Sequence, residues 1–585
     1  MSEPTPDDSE AEDGSVRVGT TEEVIEDSPM AVPVNGTAVA VFHHEDGFHA
    51  VDNRCPHMGF PLTEGTVEDG ILTCHWHHAR FEISCGNTFD PWADDVPNYP
   101  VEVRDGDVYV GVDPQRDLSP AERWAERLET GMEENLDLVV AKSVIGLDDA
   151  GVAPEEPIRT GVEFGTTYRE DGWSSGLTIL GCMANVLDDL RPEDRRRALF
   201  TGLRHVASDC AGEPPRFGQP ALEVDDAGPE RLKKWFRENV EVRDADGAER
   251  VLRTAVETCD REAVEEMLFA AATDHIYLNT GHTLDFVNKA VETLDHVGWD
   301  RADDALASLV TSLTGATRSE ELSSWRQPVD LAEILFDAYE DLDDMVAEGE
   351  GREWTPPEGF DDTLLSDDPH DIVDALTTAV REGATTTELA DRVCHAAATR
   401  VAQFGTSNEF SDWNTVHHTF TYANAVRQAT RRTDATELYR GVFDAATNVY
   451  LDRFLNTPPA PIPEPGETDR DPDAILDDLL ETFDQEGEVD TAGSLVGEFF
   501  DAGGEMADLK ATMGRGLLRE DAGFHTLQAV EAGFAQYEAA ETDHDRRVAM
   551  VAPARYMAAH FPTRREAEQT FTIAERLNSG EAVHE

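Results

Sequence analysis

Lysine is almost missing from this chain of 585 residues; only Lys142, Lys233, Lys234, Lys289 and Lys510 occur. Cations are scarce altogether, with 47 Lys+Arg against 121 Asp+Glu and a formal net charge of −74. Such a surface repels a phosphate backbone, which argues against nucleic acid as a partner. The acidity runs through every segment rather than one block, so it reads as adaptation to molar salt more readily than as one acidic docking face. At that ionic strength repulsion is screened over about 3 Å, and dense carboxylates keep the surface hydrated. Long apolar runs are also missing, and no stretch approaches the roughly 18 residues of a membrane helix. The first residues, Met1-Ser-Glu-Pro-Thr-Pro-Asp-Asp, lack the basic and apolar regions of a signal peptide. A halophilic, cytoplasmic protein with no membrane partner is the expectation.

Cysteine is sparse. The seven, Cys55, Cys74, Cys85, Cys182, Cys210, Cys259 and Cys394, are odd in number and scattered, which suits free thiols or metal ligands and not a disulfide framework. No P-loop or G-x-G-x-x-G follows a strand, so no nucleotide site is supported.

The length implies more than one core. Residues 1–14 read as a disordered acidic tail. From 15 to 113 the texture is β: short runs such as Thr37-Ala-Val-Ala-Val-Phe42 and Val108-Tyr-Val-Gly-Val112 alternate with turn signals, and Asp46-Gly47 and Asp105-Gly106 read as hairpin turns. Residues 114–175 read as a linker with a helix, begun by a capping Ser119, Pro120 and Glu122. Helical text then fills 176–456 and 475–585, divided by a proline-rich loop at 457–474. The expected fold class is multidomain α+β, with an N-terminal antiparallel β-sandwich domain followed by a large all-α domain.

The chemistry concentrates in two short strings, Cys55-Pro-His57-Met-Gly-Phe60 and Cys74-His-Trp-His77-His-Ala-Arg-Phe81. Two thiolates and two imidazoles, delivered as C-x-H and C-x-x-H from neighbouring turns, suit a [2Fe–2S] cluster with mixed ligation. Tetrahedral zinc also accepts two Cys and two His, but zinc fingers pair like with like as C-x₂₋₄-C and H-x₃₋₅-H. Gly59, Gly65 and Gly86 stand near the loops, where backbone is expected to approach the cluster sulfides closely.

Over about residues 15–113 the sequence resembles the Rieske ferredoxin family, in the branch of electron carriers for aromatic-ring oxygenases and nitrite reductases. Cys55-Pro-His57, Leu62, Gly65, Asp69-Gly70, Cys74-x-x-His77 and Phe81 carry the likeness. It implies a Rieske-type [2Fe–2S] cluster with Cys55 and Cys74 on the inner iron and His57 and His77 on the outer one. His75 stands where the family usually has proline, and Cys85 where a small residue usually precedes the glycine. Neither cluster loop holds the additional cysteine of the respiratory branch, which predicts a potential in the lower part of the range from about −150 to +300 mV. Cys85 is expected to be a buried thiol and not a ligand.

A cluster with four protein ligands is coordinatively full, so bond-making chemistry must lie elsewhere. The D-x-x-H-x-x-x-x-H string of ring-hydroxylating oxygenases does not follow the cluster motif. Candidates for a second metal or cofactor site are His205, with Asp209 at i+4; His275; His282, with Asp285 at i+3; and His418 beside His417. The alternative reading makes them core or capping histidines, as it does His525 and His560. Were 275–285 one helix, His275 and His282 would lie about 10.5 Å apart along it, unless Asn279-Thr-Gly281 breaks it. No catalytic residue is assigned. The whole-chain layout resembles a group of prokaryotic Rieske-domain proteins.

The function expected is one-electron transfer from a reductase or ferredoxin to an oxidoreductase site in the fused helical domain, with oxygenase-like chemistry on a small molecule among the options. The alternatives are an electron carrier whose helical domain is a docking scaffold, and a redox sensor.

Overall fold

A computed structural model of the chain describes residues 14–45, 47–115, 118–224 and 227–581. The acidic tail expected at residues 1–14 lies outside these apart from Gly14, as does Asp46 of the first expected hairpin turn. The chain forms two compact units, Met1–Pro157 with Gln569–Glu585, and Ile158–Glu568.

Among its described residues the first unit holds ten strands: β1 (Ser15–Thr20), β2 (Met30–Val34), β3 (Thr37–His44), β4 (Gly47–Asp52), β5 (Thr66–Glu68), β6 (Ile71–Thr73), β7 (Arg80–Glu82), β8 (Asn98–Tyr99), β9 (Val101–Arg104) and β10 (Asp107–Gly111). They pair antiparallel into three sheets, in the orders β1-β10-β9, β2-β3-β4-β8 and β5-β6-β7. Period-two alternation explains why the four-stranded sheet is buried on both faces. Val39, Val41 and Ala50 enter one core with Val108 and Val110; Ala40, Phe42 and Val51 enter another with Leu72, Phe81, Cys55 and Cys74. The second core thus anchors both cysteine-bearing loops. Asp105 and Gly106, at φ 51° and 90°, make the tight turn between β9 and β10.

Helices Pro120–Glu133 and Asp137–Asp149 also belong to this unit. The first begins with the expected capping box, Ser119 accepting from the amide of Glu122 while the Glu122 carboxylate accepts from that of Ser119.

The second unit is helical, with no strand among its described residues. Helices Ser175–Val186, His282–Val297, Phe410–Thr430, Phe524–Ala539 and Asp543–His560 build its interior. An N-terminal β-rich domain followed by a large helical region is the architecture the sequence leads one to expect. No helix among the described residues is long and apolar enough to cross a membrane.

Candidate metal centre

The two cysteine loops share one backbone scheme. In the first, the Cys55 amide donates to the Phe60 carbonyl and the Gly59 amide donates back to the Cys55 carbonyl, both at 2.8 Å. In the second, the Cys74 amide donates to the Ala79 carbonyl at 2.8 Å and the His78 amide to the Cys74 carbonyl at 3.1 Å. Gly59 and His78 hold the same place in each turn, at φ 83° and 66°. Glycine takes that left-handed conformation without cost, whereas His78 is strained by it. The other expected glycines admit protein backbone: a Cβ on Gly65 would meet the Thr73 carbonyl at 2.5 Å, and one on Gly86 the Val96 carbonyl at 2.0 Å. These contacts clamp the loops onto each other and onto the strand segment behind them.

Cys55, His57, Cys74 and His77 converge at the mouth of this clamp. The two thiols are buried and share a hydrogen bond, which raises Cys55 and pulls Cys74 down to about 6. The imidazoles lie edge to face with centroids 4.8 Å apart; His57 is half-buried under Trp92, and His77 is exposed. Burial, then the charges of His77 and Lys142, pushes His57 down to about 4, so its ring is neutral. Its Nδ1 is buried with no hydrogen-bond partner among the described protein groups. Two adjacent sulfurs, two adjacent rings and an orphaned ring nitrogen are a donor set that fits mixed thiolate and imidazole ligation of a [2Fe–2S] cluster.

A buried cation lies beside the first loop. Lys142 donates to the Pro56 carbonyl at 2.8 Å and pairs with Asp94, which also binds Arg127 at 3.0 Å. Burial alone would raise Asp94, but Lys142 and Arg127 hold its carboxyl below the usual range. Sequence reading did not single out Lys142 or Asp94. The expectation that Cys85 is buried is corrected: its thiol is exposed. The Glu82 carboxylate accepts from the amides of Ser84 and Cys85 and from the Ser84 hydroxyl, and the resulting tight turn leaves Cys85 at the surface.

The histidine candidates of the helical unit separate. His205 is mostly buried, and Asp209 binds Ser175 and the Gly176 amide instead of pairing with it, capping helix Ser175–Val186. His275 is held between Glu320 at 2.7 Å and Glu241 at 2.5 Å; these bonds outweigh burial and raise its pKa. The chain does break at Tyr277, Asn279, Thr280 and Gly281, all at positive φ, and a new helix starts at His282. That break does not bring His275 to His282. Instead His282 meets His418 and His525, with one nitrogen of each within 4.8 Å of the others. His525 read as a structural histidine, and no sequence spacing signals this grouping.

The Rieske [2Fe-2S] domain family matches residues 14–100. The segment is 36% identical over 77 residues to the ferredoxin component of an alkene monooxygenase system of Xanthobacter autotrophicus, covering 63% of that protein and 13% of this chain. It is 38% identical over 76 residues to a 3-phenylpropionate/cinnamic acid dioxygenase ferredoxin subunit of Photorhabdus laumondii, covering 72% of it and 13% of this chain. An anthranilate 1,2-dioxygenase ferredoxin subunit of Burkholderia cepacia is 34% identical over 96 residues, covering 89% of it and 16% of this chain. Fold and relatives together define an iron–sulfur electron-transfer domain. Through residues 14–100 the chain belongs to the Rieske [2Fe–2S] family. None of these three likenesses extends over the bulk of the helical unit.

Proposed function

We propose that Cys55 and Cys74 hold the buried iron and His57 and His77 the outer iron, and that the chain passes single electrons from a reductase or ferredoxin to an oxidoreductase site in its own helical unit. When bound, a Rieske-type cluster supplies one reversible electron at roughly −150 to +300 mV. The protein's part is to shield and to present. The sulfurs lie beneath β3, β4 and β6, at 2% and 1% exposure, while His77 faces solvent. That inside-to-outside ordering of thiols and imidazoles is the observation that carries the reading, because electrons leave a cluster by its exposed edge. Trp76, 37% exposed, lies beside the ring of His77, and Phe60 lies beside Trp76; the two form an apolar rim that a transient redox partner can cover. Lys142 sets a positive charge behind the first loop and favours the reduced, more negative state.

The test is a count of electrons. Anaerobic reductive titration of the full chain is expected to consume more than one electron per cluster, the surplus residing in the helical unit. Uptake of one electron, with none passed on, would leave the carrier reading. That second reading is supported by the ferredoxin components among the relatives, which are parts of multicomponent oxygenase systems by name.

We propose further that the protein is halophilic and cytoplasmic. Of the five lysines, Lys142, Lys289 and Lys510 are buried in ion pairs, Lys233 is half-buried, and only Lys234 is exposed. A surface so poor in ammonium groups and so rich in carboxylates suits concentrated salt.

A further inference from the structure

We propose that His282, His418 and His525 form a binding site for a divalent first-row transition-metal ion, with its open coordination positions toward the pocket beside His525. Three elements deliver the three rings. His282 is the first residue of helix His282–Val297, His418 lies in the first half of Phe410–Thr430, and His525 is the second residue of Phe524–Ala539. The centroids of His282 and His418 are 4.6 Å apart, those of His418 and His525 4.8 Å, and those of His282 and His525 5.9 Å.

The nitrogens are close to ligating positions. Two imidazole nitrogens at right angles on one ion, each about 2.0–2.1 Å from it, stand roughly 2.9 Å apart. His418 Nε2 and His525 Nε2 are separated by 2.9 Å. With all three donors inside 4.8 Å of one another, a modest rotation of the His282 side chain completes the set.

The surroundings favour ligation. Phe286 and Phe524 flank the His282 ring. A second observation points the same way. His417 is fully buried against the ring of His525, centroids 5.1 Å apart, and neither of its ring nitrogens has a hydrogen-bond partner among the described protein groups. A core that only packed would not gather three imidazoles beside a fourth whose ring nitrogens are both left unbonded.

The next layer inward is polar and ordered. Asp285, one turn after His282, accepts from Gln528, one turn after His525, at 2.5 Å. Beyond it Lys289 bridges Glu292 and Glu531, at 2.7 Å each. Such groups orient ligating helices from behind. Toward the outside, a cavity of about 240 Å³ is bounded by His525, Asn414, Tyr556 and His560. Three imidazoles without thiolate or carboxylate select zinc, copper, iron or nickel over the oxygen-seeking calcium and magnesium.

Use of the ion as electron acceptor rests on the proposed function; binding of the ion does not. The full chain is treated with a chelator until only cluster iron and sulfide remain, then dialysed against Co²⁺ and separately against Zn²⁺. About one added ion per chain is expected in the wild type, with affinity lowered tenfold or more in His418→Ala and His525→Ala and unchanged in the surface variant His370→Ala. A wild-type chain that takes up no added ion overturns the proposal, whether or not the variants fold. Wild-type affinity in folded His418→Ala and His525→Ala overturns it equally. In the chain loaded instead with iron(III) or copper(II), the redox-active ions of this set, one ion bound with a single electron accepted per chain keeps the metal site and removes only its role as acceptor.

Discussion

The Lys142 ammonium donates to the carbonyl of Pro56, 2.8 Å away and 86 residues earlier in the chain. Helix Asp137–Asp149 therefore sets a cation against the loop that bears Cys55 and His57, and Asp94 and Arg127 fix it there. Replacing Lys142 by methionine removes charge that favours the reduced cluster. The reduction potential is expected to fall, on the order of tens of millivolts, in a redox titration followed by visible absorption. An unchanged or raised potential would show that the cation serves packing alone.

Cys74→Ser and His77→Ser are expected to abolish the electron paramagnetic resonance signal of the reduced protein while leaving the helical circular dichroism in place. The helical unit has its own core, so loss of the cluster leaves most of the secondary structure standing. Retention of the full signal in either variant would remove that residue from the ligand set.

Gly86 combines φ of 82° with a Cβ position 2.0 Å from the Val96 carbonyl. Alanine there must move backbone, at a cost of about 2–4 kcal/mol. Lower iron and sulfide per chain and an earlier melting transition are expected in Gly86→Ala. Gly106, whose added Cβ would meet nothing within 4 Å, is the matched control at a similar φ.

Asp444 lies fully buried beneath donors from the Tyr277 amide and the Tyr339 hydroxyl, and burial pushes its carboxyl up to about 7 from 3.8. Between those values the unfolded chain has released the proton and the folded chain still holds it. The stability this group contributes is thus complete below about pH 4 and is lost as pH rises toward 7, by about 1.4 kcal/mol per unit at most. Urea unfolding at pH 5 and pH 7 should show a smaller loss across the interval for Asp444→Asn than for the wild type. A loss equal in both would mean that the carboxyl is ionised in the fold.

With a net charge of −74 and one exposed lysine, carboxylate repulsion should dominate stability in dilute buffer. The melting temperature is expected to climb as KCl rises from about 0.1 M to molar levels, where the screening length falls from about 10 Å to 3 Å. A flat profile would leave the composition without a solvent role.

The β-domain, its turns and the two cysteine loops were legible because each depends on near neighbours in sequence. Hairpin turns, period-two strands and two C-x-H or C-x-x-H loops are written within short windows, and the relatives match that same segment. Cys85 shows the limit even there, since its exposure follows from Glu82 gathering the amides of the next turn. His282–Asp285 and His205–Asp209 had the right helical spacing to pair, yet Gln528 and the N-terminus of helix Ser175–Val186 took those carboxylates. Spacing places two side chains on one face but says nothing of what packs against it.

The sequence by itself determined the Rieske domain, its cofactor and the helical character of the remainder, because local backbone preference and short-range ligand spacing suffice for these. Only the tertiary structure decided that Lys142 stands behind the first loop and that His418 meets His525 across 107 residues of chain. Helix packing joins side chains through space by burying apolar faces, and nothing in the linear spacing records which faces will meet.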